Sequence, residues 1–342
     1  MTMLKTVCFG ELMLRLSPPG FERLFQTPSL QASFGGGEAN VAVSLAQFGC
    51  DSAYVTCLPA NPVGDAALRT LRAEGVNVEH VVRGGSRLGL YYAETGASQR
   101  ASTVVYDRAH SAISELPPGS IPWHDVFDGA RWFHWTGITP ALSESAAACT
   151  REAQQAARRA GVRVSVDLNY RSKLWSEREA QQTMRPLIEN ADLLIANEED
   201  LQSVLGVAVR GVDVIAGALD VDAYRDAATR VAREFGVSQV AITLRESLSA
   251  SDNGWSAVLW DGTALHQSQR YVVRLVDRIG GGDSFAGGLI YGLLTGRSHQ
   301  AALRFAVAAS ALKQTIPADF NRVSVDEVDR LEAGDASGRV QR

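Results

Sequence analysis

Three consecutive glycines and a carboxylate occur together in the run from Asp277 to Asp283, which reads Asp-Arg-Ile-Gly-Gly-Gly-Asp. An apolar stretch that predicts a helix, residues 283–295, begins at the last residue of this run. A helix start offers unpaired N–H groups and a positive dipole end, and glycines let a phosphate approach that backbone closely. A carboxylate beside such a pocket can take a proton from an attacking hydroxyl. The run therefore contains the parts needed to transfer the γ-phosphoryl group of ATP to an alcohol.

The same run has a second interpretation, in which Asp283 is an ordinary acidic residue in the first turn of a helix. Short glycine-rich motifs often occur by chance, so this run alone leaves both interpretations open. One other phosphate-binding motif is excluded. A Walker A loop needs a lysine directly after a glycine, and none of Lys5, Lys173 and Lys313 follows one.

The composition is that of a globular enzyme. Of the 342 residues, 46% are hydrophobic and 21% are charged, and the net charge of −5 offers no basic surface for nucleic acid or anionic membrane. We find no apolar run long enough to span a membrane and no signal-peptide pattern, so we expect a cytoplasmic protein. The four cysteines form no C-x-x-C pair and are predicted to be reduced core thiols. The six histidines include no close pair, which argues against a His-based metal site.

Short β-rich runs alternate with amphipathic helices, which predicts a three-layer α/β/α fold around a mostly parallel sheet. Such sheets bind ligands at the carboxyl ends of their strands. Polar residues follow three predicted strands there, at 167–169, 197–199 and 243–245. The predicted strands are 6–9, 53–56, 162–167, 193–196 and 240–243, and the predicted helices are 38–48, 65–74, 143–160, 178–190, 222–235, 283–295 and 300–315.

Two segments in the first third of the chain, 11–34 and 84–112, interrupt this alternation and resemble extended hairpins. We interpret them together as a small β lid inserted into one α/β domain of residues 1–330. So small an insertion cannot bury its own edges and apolar faces, so we expect a homo-oligomer that forms through the lid. Residues 331–342, which end in a small and polar stretch, are predicted to be a flexible tail.

Several motifs resemble those of PfkB-type (ribokinase-like) carbohydrate kinases. The carboxyl-terminal family motif, Asp-Thr-x-Gly-Ala-Gly-Asp, corresponds to residues 277–283, with arginine and glycine in place of threonine and alanine. A glycine hinge followed by asparagine corresponds to residues 35–40. The family's Asn-x-x-Glu corresponds to residues 197–200, with aspartate in place of glutamate. The resemblance covers about residues 4–330 and implies the ribokinase-like fold.

Within this family, the chain is most similar to 2-keto-3-deoxygluconate kinases. The segments that carry this similarity are 14–20, 106–112, 167–171 and 310–313. The family usually has Pro-Gly-Asp-Phe near its end, whereas residues 317–320 have alanine at the second position. Alanine disfavours the positive φ that glycine would permit there.

Four residues fit a sugar acid as the substrate. A 2-keto-3-deoxy sugar acid carries a carboxylate that neutral sugars lack, and the planar guanidinium of arginine bonds carboxylates bidentately. Arg108 in the lid and Arg171 at a strand end are candidates for this contact. Tyr91 and Tyr106 on the lid strands can donate O–H bonds while covering the sugar. Without the resemblance, surface pairing of the arginines and cross-strand packing of the tyrosines remain alternatives.

The resemblance implies a role for each part of the site. Asp283 would take the proton from the C6 hydroxyl of 2-keto-3-deoxygluconate, which attacks ATP to give 2-keto-3-deoxy-6-phosphogluconate. The N–H groups of Gly280, Gly281 and Gly282 would hold the developing charge. The remaining predicted site residues are Gly35 and Gly36 at the substrate, Asn197, Thr243 and Arg245 at the nucleotide, and Asn197 and Asp200 near Mg²⁺, mainly through water.

Two kinds of alternative remain open. The substrate of a PfkB-type kinase could also be 2-keto-3-deoxygalactonate, fructose or ribose, and the two arginines argue only against the neutral sugars. The chain could also be an inactive sugar-acid-binding regulator. The intact glycines and Asp283 argue against a regulator, because an inactive copy has no need of both.

Overall fold

Six neighbouring strands of the central sheet run parallel in the part of the chain that the computed structural model describes, residues 4–209 and 221–335. Three further strands extend one side of this sheet antiparallel. The parallel strands, from the edge inward, are Asp51–Val55, Lys5–Phe9, Trp132–Thr136, Arg163–Asp167, Leu193–Ala196 and Gln239–Ser247, and the antiparallel strands are Asp252–Trp260, Leu265–Gln267 and Tyr271–Arg274.

Alternate residues of each strand belong to different hydrophobic cores, one on each face of the sheet. Val7 and Phe9 pack into one core, whereas Cys8 between them packs into the other. The predicted three layers are therefore confirmed. The helices Gly37–Gln47, Pro62–Ala73, Gly281–Leu294 and His299–Lys313 cover the face of Cys8, and Glu144–Arg159, Glu177–Ile188 and Val221–Phe235 cover the other.

All seven predicted helices and five predicted strands are present, with small differences at their ends. The central strand Trp132–Thr136, whose five residues are all buried, was not predicted from the sequence. A strand that is covered on both faces lacks the alternation of polar and apolar residues that indicates a strand. The antiparallel edge strands were also missed. Shorter elements are the strands Cys57–Leu58 and Val82–Arg83, and the helices Trp123–Val126, Ile138–Ala141, Glu198–Asp200 with the π-helical turn Leu201–Leu205, and Val325–Glu332.

A second sheet of four strands, here called the small sheet, combines the two segments predicted to form a lid. Each segment forms an antiparallel hairpin, and the hairpins join through a parallel strand pair. Met13, Tyr91 and Ala93 on one face of this sheet form a cluster against Ile279. The small sheet therefore packs onto the glycine-rich run. Its strands, in order, are Gln31–Gly35, Met13–Ser17, Gly89–Glu94 and Thr103–Asp107.

The predicted domain boundary at residue 330 falls inside the helix Val325–Glu332. This helix has a capping box at Ser324 and buries Val328, so regular helical structure extends two residues past the predicted boundary. Residues 336–342 of the predicted tail lie outside the described residues. The four cysteines are buried and form no disulfide, as predicted. Within the described ranges, we find no helix with the length and apolar character to cross a bilayer.

Candidate active site

A cavity of about 520 Å³ lies where the carboxyl ends of the parallel strands meet the small sheet and the glycine-rich run. This is the position predicted from the strand order. Only one residue of the predicted site, Gly35, is absent from its lining. The predicted residues that line it are Gly36, Tyr91, Tyr106, Arg108, Arg171, Asn197, Asp200, Thr243, Arg245, Gly280, Gly281, Gly282 and Asp283.

Gly35 and Gly36 permit close packing around the cavity. A Cβ atom at Gly35 would lie 2.2 Å from Asp319 Oδ2, and one at Gly36 would lie 2.0 Å from the carbonyl oxygen of Glu11. Gly35 itself does not line the cavity but packs against the carboxylate of Asp319, which does, and this corrects its prediction as a direct substrate contact. The hinge motion predicted for this pair stays a prediction.

The helix Gly281–Leu294 begins without a side-chain cap after Gly280, which has φ 85°, and the helix Gly37–Gln47 after Gly36 also lacks one. By contrast, the helix Glu144–Arg159 starts with a serine side chain that accepts an N–H bond. A Cβ at Gly280 would lie 2.1 Å from the Asp319 carbonyl oxygen, so glycine is required on two grounds. Gly282 borders open space. The helix start is therefore bare toward the cavity and suited to an anion.

One of the three predicted N–H donors is engaged within the protein. The Gly281 N–H donates to the Arg278 carbonyl oxygen at 3.3 Å and closes the turn before the helix. Gly280 and Gly282 have no such acceptor among the described residues. The predicted contact with a phosphate therefore stays a prediction for the N–H groups of Gly280 and Gly282, whereas the N–H group of Gly281 is used within the protein.

Asp283 is half-buried in the first turn of this helix, and its Oδ2 accepts a hydrogen bond from Asn40 Nδ2 at 2.6 Å. Burial raises the pKa of Asp283 to about 6, while the hydrogen bond from Asn40 opposes that rise. A carboxylate with this pKa is mostly ionised at neutral pH yet more basic than an exposed aspartate. These are the properties of a general base.

Asn40 has a role that sequence analysis did not assign. Its Oδ1 accepts from the Gly36 N–H at 3.3 Å, while its Nδ2 holds Asp283. The residue therefore connects the glycines that precede helix Gly37–Gln47 to the candidate base. The motif of residues 35–40 was recognised, but nothing local in it indicates a partner so distant in the chain.

Three carboxylates gather at one end of the cavity. Burial raises the pKa of Asp167 strongly, and the nearby charges of Asp200 and Asp283 raise it further. Burial also raises the pKa of Asp200 to about 6, although its Oδ1 accepts a bond from the Tyr170 N–H at 3.1 Å. Carboxylates that repel one another in a partly buried site provide oxygen ligands suited to a divalent cation. Asp167 was noted at a strand end but not assigned to the metal.

Asn197 follows the strand Leu193–Ala196 and caps the next helix. Its Oδ1 accepts from the Asp200 N–H at 2.8 Å, so the side chain orients Asp200. The Nδ2 group that remains is a donor, which suits a phosphate oxygen rather than a metal. Glu199 also lines the cavity.

Arg108 is buried and held by Glu11. Its Nε donates to Glu11 Oε2 at 2.8 Å, its second terminal nitrogen contacts the same oxygen, and Ser111 Oγ donates to Glu11 Oε1 at 2.6 Å. The guanidinium also lies 5.3 Å from the centre of the Tyr106 ring. This pairing uses one edge of the planar group. The end-on edge, with N–H bonds of both terminal nitrogens, has no hydrogen-bond partner among the described residues and can bind a carboxylate.

Arg171 is exposed and lines the acidic end of the cavity. Its guanidinium donates to the Tyr170 carbonyl oxygen at 2.8 Å. Its charge lowers the pKa of both Asp200 and Asp283, against the larger effect of burial. Arg171 thus provides positive charge near the candidate base.

The two predicted tyrosines differ in how much they can offer a substrate. Tyr91 is buried, and its hydroxyl donates to Asp319 Oδ2 at 2.5 Å. Because Asp319 accepts the hydroxyl proton of Tyr91, this structure does not have the predicted hydrogen-bond donor to the sugar at Tyr91. Tyr106 is exposed, and its ring centre lies 6.0 Å from that of Tyr91.

A buried ionic cluster, one member of which is the cavity residue Asp319, was not predicted from the sequence. Arg15 of the small sheet binds Asp277 Oδ2 at 2.7 Å and Asp319 Oδ1 at 2.9 Å, and all three side chains are nearly inaccessible. The ammonium group of Lys313, whose pKa burial lowers, contacts the carbonyl oxygens of Ile279 and, at 2.7 Å, Ala318. These bonds position the turn that leads into Gly280.

Ala318, where the family usually has glycine, does adopt the positive φ that alanine disfavours, at 66°. Its N–H donates to Asp277 Oδ2 at 3.1 Å, and its carbonyl oxygen accepts from Lys313. These two bonds hold the backbone in the left-handed region despite the Cβ atom.

Two further arginines line the cavity near the predicted nucleotide residues. Arg245 follows Thr243 on the strand Gln239–Ser247, and Arg278 precedes the glycines. Burial lowers the pKa of Arg278, and the charge of Arg245 lowers it further. Arg278 Nε is buried without a hydrogen-bond partner among the described residues. Two cations this close favour binding of an anion between them.

Comparison with known proteins agrees with this chemistry. A family profile described as pfkB family carbohydrate kinase matches residues 3–316. The chain belongs to the PfkB family of carbohydrate kinases. A 2-dehydro-3-deoxygalactonokinase of Haloferax volcanii is 37% identical over 333 residues, which are 96% of this chain and 97% of that protein. The structure of a 2-dehydro-3-deoxygluconokinase from Thermotoga maritima is 51% identical and has a TM-score of 0.93, over 97% of this chain and 100% of that one.

A fructokinase from Xylella fastidiosa, solved with bound ATP, has a TM-score of 0.75 over 96% of this chain and 97% of its own. At 22% identity this similarity shows the shared fold alone. The ribokinase-like fold and the kinase class predicted from the motifs are confirmed. This PfkB kinase is a phosphotransferase with an alcohol group as acceptor. The alternative of an inactive regulator is therefore not supported.

Replacing Asp283 with asparagine should preserve the fold but abolish most turnover. The amide keeps the shape of the carboxylate and cannot accept a proton, and loss of a general base costs about 10²–10⁴ in kcat. Steady-state kinetics of Asp283→Asn measure this. Asp326→Asn, the same change in the first turn of helix Val325–Glu332, is the matched control and should be silent. A kcat above a tenth of wild type in Asp283→Asn would exclude Asp283 as the base.

The pH profile tests the bond between Asn40 and Asp283. The wild-type kcat/KM should fall as the pH drops through about 6, because the base becomes protonated. Losing a hydrogen bond to a charged group costs about 1.5–3 kcal/mol, so in Asn40→Ala this fall should move to higher pH by about one pH unit or more. An unchanged midpoint in Asn40→Ala would show that another group controls the profile.

Proposed function

We propose that this kinase transfers the γ-phosphoryl group of ATP to the C6 hydroxyl of 2-keto-3-deoxygluconate and forms 2-keto-3-deoxy-6-phosphogluconate. The observation that carries the proposal is one cavity that contains a bare helix start, a base with a raised pKa and a buried arginine with a free donor edge. The names of two similar proteins, a 2-dehydro-3-deoxygluconokinase and a 2-dehydro-3-deoxygalactonokinase, support a sugar acid of this type.

Asp283 begins the reaction by removing the C6 hydroxyl proton while that oxygen attacks the γ-phosphorus, and the bond from the γ-phosphorus to the bridging oxygen breaks to release ADP. The N–H groups of Gly280 and Gly282 and the positive end of the helix stabilise the negative charge that develops on the phosphoryl oxygens. Arg245 and Arg278, which line the same cavity, bind phosphate oxygens of ATP. Asn40 holds the base through its hydrogen bond to Asp283 Oδ2.

The residues around the acidic end of the cavity fit a Mg²⁺ ion. Asp167 and Asp200 would hold it, mainly through water, and Asn197 would orient Asp200 and donate to a phosphate oxygen. A bound Mg²⁺ supplies positive charge that offsets the charge on the phosphates. The mutual repulsion that raises the pKa of Asp167 would be relieved in its presence.

Arg108 and Arg171 bind the substrate carboxylate. Arg108 is oriented by Glu11 and presents its end-on edge, while Tyr106 covers the sugar beside it. These contacts favour a sugar acid over fructose or ribose. They do not distinguish the gluconate and galactonate epimers, which have the same carboxylate and differ only in the configuration of one carbon that carries a hydroxyl group. We propose the gluconate epimer because a solved structure of a gluconate kinase is 51% identical, whereas among curated relatives the galactonate enzyme is 37% and the gluconate enzyme of Bacillus subtilis 29% identical. Comparing kcat/KM for the two epimers tests that assignment.

Removing the arginine contacts should raise KM for the sugar acid alone. Losing a hydrogen bond to a charged group weakens binding by about 10- to 150-fold, so Arg171→Ala should raise KM for 2-keto-3-deoxygluconate within that range. For Arg108 the variant is lysine, which preserves charge beside Glu11 but lacks the planar donor edge. In both variants KM for ATP should stay near wild type.

Arg23→Ala is the matched control for these variants. Arg23 is an exposed arginine of the small-sheet hairpin, lies 3.6 Å from Glu94 and does not line the cavity. A general folding defect would change all kinetic constants together. If neither Arg171→Ala nor Arg108→Lys changes KM for the sugar acid, the carboxylate is bound elsewhere. A wild-type preference for fructose would contradict the substrate assignment itself.

The small sheet also supports a proposal about assembly. Its loop side chains Phe21 and Phe25 are 60% and 71% exposed, and Val105 on its outer strand is 47% exposed. Large apolar side chains grouped on a sheet with open edges favour burial against a second copy. We infer a homodimer, or a dimer of dimers, with the small sheets in contact.

The double variant Phe21→Glu/Val105→Glu should therefore be monomeric, because it places charges in the apolar contact. Both side chains are exposed to solvent in the single protomer, so the two substitutions should not affect its fold. Val272→Glu, at a 65% exposed valine on the central sheet, is the control and should remain dimeric. Light scattering at micromolar concentration measures the mass. A monomeric wild type, or a dimeric double variant, would contradict the proposal.

A further inference from the structure

Two histidines and an aspartate meet at the antiparallel side of the central sheet, outside the active-site cavity. Asp261 follows the strand Asp252–Trp260, His266 lies on Leu265–Gln267, and His299 is the first residue of helix His299–Lys313. The sequence argued against a His-based metal site because no two histidines are close along the chain. The fold brings these two together, with ring centres 5.9 Å apart.

The candidate ligand atoms lie close enough together to bind one metal ion. His266 Nε2 lies 2.6 Å and His299 Nδ1 lies 3.2 Å from the same oxygen, Asp261 Oδ2. All three atoms lie within 4.8 Å of one another. Ligands of a tetrahedral Zn²⁺ ion, with bonds of about 2.0–2.1 Å, lie about 3.3 Å apart. Small side-chain rotations therefore bring all three atoms to one ion.

The carboxylate is held in place by bonds that leave one oxygen for the histidines. Asp261 Oδ1 accepts from the Thr263 N–H at 2.9 Å, from Thr263 Oγ1 at 2.8 Å and from the Ala264 N–H at 2.8 Å. These three bonds saturate Oδ1 and fix the orientation of Oδ2. A ligand that is already ordered loses little conformational entropy on binding an ion.

One histidine has a partner that can set its tautomer. The side-chain Nε2 of Gln239 lies 2.9 Å from His299 Nε2. When the amide is flipped, which exchanges its nitrogen and oxygen, the oxygen accepts the Nε2 proton of His299 and leaves a lone pair on Nδ1, the nitrogen beside Asp261. Histidine ligands of metals commonly have such a partner on the other ring nitrogen.

We propose that Asp261, His266 and His299 form a binding site for a divalent transition metal, with Zn²⁺ the best match. Two imidazoles and one carboxylate are typical zinc ligands, and water completes the coordination because the side chains of His266 and His299 are 23% and 38% exposed. The ion joins the edge strand to the first turn of helix His299–Lys313. It stabilises the fold at a distance from the catalytic chemistry.

Calorimetric titration of the EDTA-treated full-length protein with Zn²⁺ tests this site. We expect one equivalent to bind with micromolar affinity and to raise Tm. Co²⁺ should give the visible absorption of a tetrahedral complex. His266→Ala and His299→Ala should abolish both signals, and Gln239→Ala should weaken binding by about 10- to 100-fold through loss of the ligand's partner.

His124→Ala is the matched control and should bind Zn²⁺ like wild type. His124 lies 3.3 Å from Asp125 as an exposed pair, and no third ligand joins them in the described parts of the chain. Kinase activity with Mg²⁺ should be the same with and without bound Zn²⁺, which separates this proposal from the proposed reaction. No saturable Zn²⁺ binding at submillimolar concentration would overturn the proposal and leave a hydrogen-bonded Asp–His cluster. Binding that persists in both His266→Ala and His299→Ala would also overturn it.

Discussion

The guanidinium of Arg15, buried between Asp277 and Asp319, is the interaction on which the rest of the site depends. A buried charge that loses its partner costs several kcal/mol, so the three side chains must come together or not be buried at all. Arg15 belongs to the small sheet, whereas the two aspartates flank the turn before Gly280. Packing the small sheet therefore also places the bare helix start, and the base in its first turn.

The charged groups of the cavity match a reaction in which all reactants are anions. Both carboxylates and guanidinium groups line it: Asp167, Asp200, Asp283, Arg171, Arg245 and Arg278. Burial raises the pKa of Asp283 to about 6, and the charge of Arg245 adds to burial in lowering the pKa of Arg278. In the proposed reaction, Arg245 and Arg278 would bind phosphates and Asp167 and Asp200 would hold a metal ion. The site is thus arranged in advance for the charges that bind there.

Local features of the sequence predicted most of the fold and much of the cavity lining. The glycines before Asp283 and the polar residues after three strands are local signals, and each lies where the pattern indicated. The pairs Asn40–Asp283 and Arg15–Asp319 could not be predicted, because each joins segments that only the folded chain brings together. The same holds for His266 and His299.

The partners of individual side chains could not be predicted from the sequence either. Tyr91 was predicted to donate to a sugar, yet Asp319 takes its proton, because a buried hydroxyl must find an acceptor. Gly35 was predicted at the substrate, yet it packs on the same carboxylate. A residue type shows what a side chain can bond, while its neighbours in the fold determine which bond it makes.

The claim that the cavity recognises a carboxylate is the centre of this account. The most direct measurement compares kcat/KM for 2-keto-3-deoxygluconate with that for 3-deoxyfructose, which replaces only the carboxylate with a hydroxymethyl group. Both have the same C6 hydroxyl, so the ratio isolates the carboxylate contact. The account predicts that the acid is preferred by at least about 10-fold, the effect of one charged hydrogen bond. Equal values, or a preference for 3-deoxyfructose, would contradict it.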